Sequence, residues 1–337
     1  MTAPVQTKIA RAYSALGNYG KALDFYERAF SKKKKLPITA SEYGKLLYRI
    51  RHFKKADSVF LQLTNHYPNN PDLHYRLGLA KKQLGDSTAT GCFQKAFLLD
   101  DSHQKAIYEL MLVNLKGKNF EKTASLGQKA LATYPENAEI LGVLAQNAMA
   151  QRKYYLASKH FELLDSLNQA SEFVHENLGL AYLHLNQLEK AVEAFQKTLA
   201  INPQNTNAYL LLGKTYNRLS KPDLAKDALE KALFFKKLGL DVIYQNLGNT
   251  YKSKKEFAKA IGYYKKALEI NPYNFHSQYQ LAISADNYYK DPQTRLNYYK
   301  IFIKKFKTFP NVEAYISFAK YRVGELKKEI HMNAGGN

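Results

Sequence analysis

Nine histidines, one cysteine and a glycine-flanked stretch, "GDSTATG" at residues 85–91, are the places in this 337-residue chain where chemistry would sit. Each fails on spacing. His175 and His184 are nine residues apart, so they do not stack on one helix as residues three or four apart would. His66 and His74 straddle a turn signal. A structural or solvated role fits these side chains better than metal ligation. Cys92, beside Phe93 on the apolar side of a helical stretch, reads as a small buried filler. One cysteine supports neither an internal disulfide nor a cysteine-rich metal site. "GDSTATG" lacks the Lys-Ser/Thr that a phosphate-cradling loop needs and reads as a loop with one residue deleted. No His-Glu-x-x-His or Gly-x-Ser-x-Gly occurs. The residues imply no catalytic group, no cofactor and no metal site.

What the chain offers instead is repetition. "NLGLAY" at 177–182 returns as "NLGNTY" at 246–251, with "LLGKTY" at 211–216 between them. Extended outward, a small residue after a large apolar one recurs at Ala10, Gly44, Gly78, Ala145, Gly179, Gly213, Gly248 and Ala282, with Met111 as the exception. A second small residue follows at Ala22, Ala56, Ala89, Ala157, Ala191, Ala225 and Ala260, with Thr123 in the fourth unit. A bulky residue comes four places later at Tyr26, Phe60, Phe93, Phe161, Phe195, Leu229 and Tyr264, with Gly127 as its exception. Pro68, Pro135, Pro203 and Pro272 close alternate units. A period of this length marks a solenoid. Within a unit, Leu178, Ala181, Tyr182 and Leu185, then Leu188, Ala191, Val192, Phe195 and Leu199, follow helical spacing around a turn at Asn186-Gln187. Each unit is therefore a hairpin of helices A and B. Small residues let the two backbones approach, and Phe195 is expected to fill the gap toward the next pair.

Leu-Gly-x-x-Tyr, Ala-x-x-x-Phe and Pro in this register resemble the tetratricopeptide repeat, although its usual early Trp is replaced by Tyr209, Tyr244, His175 and others. The resemblance implies an all-α, right-handed superhelix of antiparallel helix pairs. Nine units span residues 3–310, starting near 3, 37, 71, 104, 138, 172, 206, 241 and 275, the ninth degenerate, with Arg295 near the place of the small residue. Residues 311–330 read as a capping helix. Ala314, Tyr315, Phe318 and Val323 form its apolar side, and Lys320, Arg322, Lys327 and Lys328 its wet side. Residues 331–337 read as a disordered tail. No linker or shift in periodicity divides the chain, so the units read as one continuous superhelix.

Lysine and arginine number 50 against 29 acidic residues, a formal charge of +21. Such a field favours anionic partners of any kind. Two stretches concentrate it. Residues 31–55 carry nine basic residues against Glu42, and residues 290–307 carry six against Asp291. No run of 18 apolar residues appears, so no membrane-spanning helix is expected. The start lacks a secretory core, and the chain is expected to be soluble, in cytoplasm or periplasm. No cap precedes Ile9, so the sequence also reads as a trimmed piece of a longer protein.

The resemblance further implies that helix A lines a partner-binding groove. The residues on that side are Lys45, Tyr48, Arg49, Tyr75, Lys82, Tyr108, Lys116, Phe173, Lys214, Asn217, Arg218, Gln245, Asn249 and Lys252. Lys214, Asn217, Arg218, Asn249 and Lys252 form the strongest cluster, because the repeat pattern is clearest there. Only part of the family's carboxylate clamp is present, in Lys214, Asn246, Asn249 and Gln280. The reading is a non-enzymatic adaptor that captures an acidic protein or peptide segment by shape and charge. Two rivals stand beside it: a nucleic-acid binder, argued from charge and interleaved Tyr and Lys, and a docking region of a larger enzyme or membrane-associated assembly.

Overall fold

The computed structural model describes residues 1–30, 37–235 and 240–334. Every regular element among them is an α-helix. They form two compact units, Met1–His160 and Phe161–Asn337, and the boundary lies inside the helix Tyr154–Ser166. The lysine run at 32–35, which supplies four of the charges in the first basic stretch, lies outside the described residues.

The first unit contains α1 (Ala3–Ala15), α2 (Tyr19–Phe30), α3 (Pro37–Arg49), α4 (Phe53–His66), α5 (Pro71–Gln83), α6 (Ala89–Leu99), α7 (Gln104–Lys116), α8 (Phe120–Thr133), α9 (Ala138–Ala150) and the first half of α10 (Tyr154–Ser166). α1 pairs with α2, α3 with α4, α5 with α6 and α7 with α8, and each pair stacks on the next. The pairs close on a small residue under a large one. A Cβ on Gly44 would stand 2.8 Å from the Phe60 ring, and one on Gly78 would stand 2.6 Å from Phe93. In the fourth pair the sizes are exchanged. Met111 on α7 takes the place of the glycine, Gly127 on α8 takes the place of the ring, and a Cβ on Gly127 would meet Met111 Cε at 2.8 Å. The two exceptions in the sequence pattern thus face each other, Leu144 of α9 closes on Gly127 as well, 2.6 Å from where that Cβ would stand, and Met111 is fully buried.

The second unit continues from α10 with α11 (Glu172–His184), α12 (Leu188–Ile201), α13 (Thr206–Arg218), α14 (Pro222–Phe234), α15 (Leu240–Ser253), α16 (Phe257–Ile270), α17 (Phe275–Tyr288), α18 (Pro292–Phe306) and α19 (Glu313–Ala334). The same contact recurs. Cβ atoms on Gly179, Gly213 and Gly248 would stand 2.6, 2.6 and 2.5 Å from Phe195, Leu229 and Tyr264. Phe195 therefore covers the glycine of its own pair, not a gap toward the next, as the sequence pattern suggests. Stacking between pairs is stitched by polar groups. Asn205 caps α13 by accepting from the Ala208 N–H at 2.8 Å, while its amide and that of Asn202 donate to Glu172 Oε1 at 2.7 and 2.8 Å. Asn271 and Asn274 repeat the arrangement on Asp241 at 3.0 and 3.3 Å. A cap satisfies an orphan helix donor, and here the capping residue also fixes the register of the preceding pair.

The C-terminal end is held differently. Asp291 caps α18 as its Asp-Pro start suggests, accepting from the Gln293 and Thr294 N–H groups. Arg295 stands where the small residue is expected, with a side chain only 12 % exposed, paired with Asp286 and Glu329. Asp286 also accepts from Tyr299 Oη at 3.1 Å and from Arg322 Nε at 2.7 Å. The expected faces of α19 need correction for this reason. Tyr315 and Val323 pack on the core beside the buried Ile316, Ala319 and Leu326, but Phe318 is 44 % exposed, and Arg322 is not on a wet side but tied to α17. α19 also runs to Ala334, so residues 331–334 are helical where the sequence reads as tail.

Two outcomes test the close contacts. Gly179→Ala lowers unfolding stability by roughly 1–3 kcal/mol in denaturant titration, because the buried Phe195 ring must shift. Met111→Gly and Gly127→Phe each destabilise alone, whereas the double variant loses less than their sum, with a coupling of about 0.5–3 kcal/mol. Simple additivity would show that the two positions do not share one space.

Candidate functional site

The exposed side of each first helix of a pair carries the side chains available to a partner. In the first unit Lys45, Arg49 and Lys116 reach solvent. The Arg49 guanidinium lies 5.5 Å over the Tyr19 ring, and Tyr48 meets the edge of Phe53 at 5.4 Å. Tyr75 is half-buried against Phe93 and His103, and burial pushes its hydroxyl up to about 12. Tyr75 is thus more a core residue than a contact. Tyr108 is raised in the same direction, again chiefly by burial. Lys82 is exposed but ion-paired with the nearly buried Glu109 of the next pair. Glu109 carries no repeat signature, and its role was not legible in the sequence.

In the second unit Phe173 is 49 % exposed on α11. The strongest cluster from the sequence separates into engaged and free groups. Arg218 donates to the Leu183 carbonyl at 2.9 Å and to Asn186 Oδ1 at 2.7 Å, which staples α13 to the end of α11. Asn217 donates to the Asn246 carbonyl at 3.4 Å and accepts from Thr250 Oγ1 at 2.9 Å. Asn249 accepts from Tyr264 Oη at 2.8 Å, and Lys252 donates to Gln280 Oε1 at 2.7 Å. Asn246 is buried, its amide turned back to the Val242 carbonyl at 2.7 Å. Lys214 differs. It is half-buried on α13, burial holds its pKa below the usual lysine value, and among the described residues it has no hydrogen bond or ion pair. Gln245 is half-buried on the adjacent α15. Lys214 keeps its N–H donors unengaged, the kind of group that holds a carboxylate or a peptide carbonyl.

The histidines and the cysteine have structural surroundings. His66 Nδ1 and His74 Nε2 each meet a backbone carbonyl at 2.8 Å. Burial lowers the pKa of His175, whose Nε2 lies 3.8 Å from Asp165. Burial raises the Cys92 thiol, which keeps it protonated. No group of three or more His, Cys, Asp or Glu side chains among the described residues is placed to hold a metal.

Comparison with known proteins agrees with this architecture. Residues 173–205 and 242–274, and separately 3–32 and 206–233, match family models described as tetratricopeptide repeat. Superkiller protein 3 of Schizosaccharomyces pombe is 23 % identical over 240 residues, covering 68 % of this chain and 15 % of that protein. Anaphase-promoting complex subunit 3 of the same organism is 24 % identical over 234 residues, covering 68 % and 35 %. The chain spans well under two thirds of either relative. A solved tetratricopeptide repeat protein from Parabacteroides merdae shares the fold, with TM-score 0.52, 15 % identity and coverage of 74 % of this chain and 98 % of that one.

The environment of Lys214 has a measurable sign. Its lowered pKa means the unfolded chain binds more protons between the folded value and the ordinary lysine value. Protonated Lys214 therefore detracts from stability at neutral pH, and that penalty fades as pH rises through this window. Lys214→Met is expected to melt no lower than the parent near pH 7 and to lose part of the parent's gain in stability at alkaline pH. A lower melting temperature for the variant at neutral pH would refute the assignment.

Proposed function

We propose that this chain, a tetratricopeptide repeat protein, is a non-enzymatic scaffold that holds an acidic segment of another protein against the first-helix faces of its pairs. The helix pairs within 3–310 are the nine repeats and α19 is the lid. The observation that carries the reading is Lys214. A half-buried ammonium with no internal partner destabilises the fold on its own, and a carboxylate brought by a partner would relieve that penalty. Nearby Asn217 and Arg218 are held by their bonds to α15 and α11, so the face around Lys214 is set before a partner arrives. Preorganisation of this kind lowers the cost of binding. The membership of a named relative in a multi-subunit complex supports the same role.

The test is charge reversal at Lys214 alone. Arg218 is left intact, because Arg218→Glu would remove the staple to Leu183 and Asn186 and confuse binding with stability. In affinity capture followed by cross-link mapping, Lys214→Glu is expected to reduce recovery of the partner about tenfold or more at an unchanged melting temperature. Undiminished recovery, or cross-links that avoid the first-helix faces, would overturn the proposal.

A further inference from the structure

Several lysines among the described residues of the second unit have internal company. Lys197 pairs with Asp165 at 2.8 Å and Lys259 with Glu256 at 2.6 Å. The ammonium of Lys231 sits 5.7 Å over Tyr209. The outer face of α18 gathers lysines that have none on one helix. Among the described residues, Lys300, Lys304 and Lys307 have neither a carboxylate within 4 Å nor a ring beneath them. Asp291, the one acid between residues 290 and 307, is occupied in capping the helix. Lys305 has a ring but no carboxylate, lying 5.5 Å over Tyr273.

The same face is apolar at its centre. Ile301 is 51 % exposed, next to Lys300 and one turn from Lys305. Tyr273, under Lys305, is 66 % exposed, and the neighbouring Ile270 is 53 % exposed. Lysines around an open isoleucine and an open tyrosine ring form a surface that water solvates badly at the middle and well at the rim.

We propose that this face of α18, with Tyr273 and Ile270 beside it, docks the protein on an anionic lipid bilayer. Charge complementarity favours an anionic partner, and the apolar centre selects the kind. A phosphate backbone gains from the lysines and the tyrosine but nothing from Ile301 or Ile270. A bilayer uses all of them. Lysine stems extend their ammonium groups to lipid phosphates, while isoleucine and tyrosine enter the boundary between headgroups and acyl chains. The proposal does not depend on the partner assigned to Lys214, which lies on another helix.

The experiment is co-sedimentation of the full chain with phosphatidylcholine vesicles, with and without about 30 mol % phosphatidylserine, near physiological salt. The expected result is binding only to the anionic vesicles. The triple variant Lys300→Glu, Lys304→Glu, Lys305→Glu is expected to weaken it by about a hundredfold, the product of a roughly fivefold contribution from each lysine at the surface. Ile301→Ser is expected to weaken it by roughly tenfold. A control with the same change in charge on exposed lysines of the first unit, Lys95→Glu, Lys105→Glu, Lys153→Glu, is expected to lose less than about threefold, because surface potential falls off within a Debye length. Glutamine at the three α18 lysines repeats the test should the glutamate version fail to fold. Absence of vesicle binding, equal loss in the control, or indifference to Ile301→Ser would overturn the proposal. So would α18 variants that lose binding to duplex DNA while keeping the vesicles.

Discussion

A phenylalanine ring whose atoms lie 2.6 Å from where a Cβ would stand must shift to admit anything larger than glycine, and Gly179 under Phe195 meets that condition. The distance between the two helices of a pair follows from this contact, because neither backbone can retreat without opening a void or advance without a clash. The same argument applies to Phe60 over Gly44 and Tyr264 over Gly248. What is conserved along the chain is the space two side chains share, not the identity of either. Met111 and Gly127 show this directly: the large side chain has moved to the first helix and the small one to the second, and the pair still closes. Once the pair has a fixed thickness, its outer surfaces are positioned to stack on the next, and every polar contact between pairs inherits its geometry.

This dependence explains what the sequence could show. A steric constraint acts on two residues at a fixed separation, so it leaves a repeated pattern of small and large letters. The turns inside the pairs leave a weaker one, legible at Asn186-Gln187 but not at most of the others. Arg51, Lys118, Arg152, Asn186, Ser220 and Lys255 all occupy the left-handed region at the same place in successive turns, where only Gly17 and Gly85 supply the residue that prefers it. The backbone is committed there by bonds such as His52 N–H to the Leu47 carbonyl at 2.8 Å and Gln187 N–H to the Tyr182 carbonyl at 2.9 Å. Those bonds use main-chain atoms, which no choice of side chain announces.

The candidate site was legible in the same partial way. Helical spacing places Lys214, Asn217 and Arg218 on one side of α13, but it cannot show that Arg218 reaches a carbonyl 35 residues earlier. Nor can it show that Arg295, out of pattern in its own pair, belongs to a network with Asp286, Tyr299, Arg322 and Glu329. Two positions of α19 were misread for that reason: amphipathic spacing ranks residues by hydropathy, while Asp286 draws Arg322 inward and Phe318 stays outside. Buried charges need partners before they can be tolerated, and a partner on another helix outweighs the periodicity of the helix that carries the charge.

The excess of basic residues can be understood through the same distinction between engaged and unengaged side chains. Tyrosine replaces the family's early tryptophan at Tyr209 and Tyr244, and in each case a lysine 22 residues later, Lys231 or Lys266, lies over its ring at 5.7 Å. The substitution keeps an aromatic face available to a cation. Where the tyrosine is replaced by His175, the lysine at the equivalent place, Lys197, turns to Asp165 instead. At these three places the lysine charge is thus matched locally by a ring or a carboxylate already present in the fold. Lys214, Lys300 and Lys304 are among the lysines outside this matching, the first in a half-buried setting that disfavours its charge and the other two on an open face. That contrast, more than the total charge, separates charge the fold already engages from charge left open to a partner.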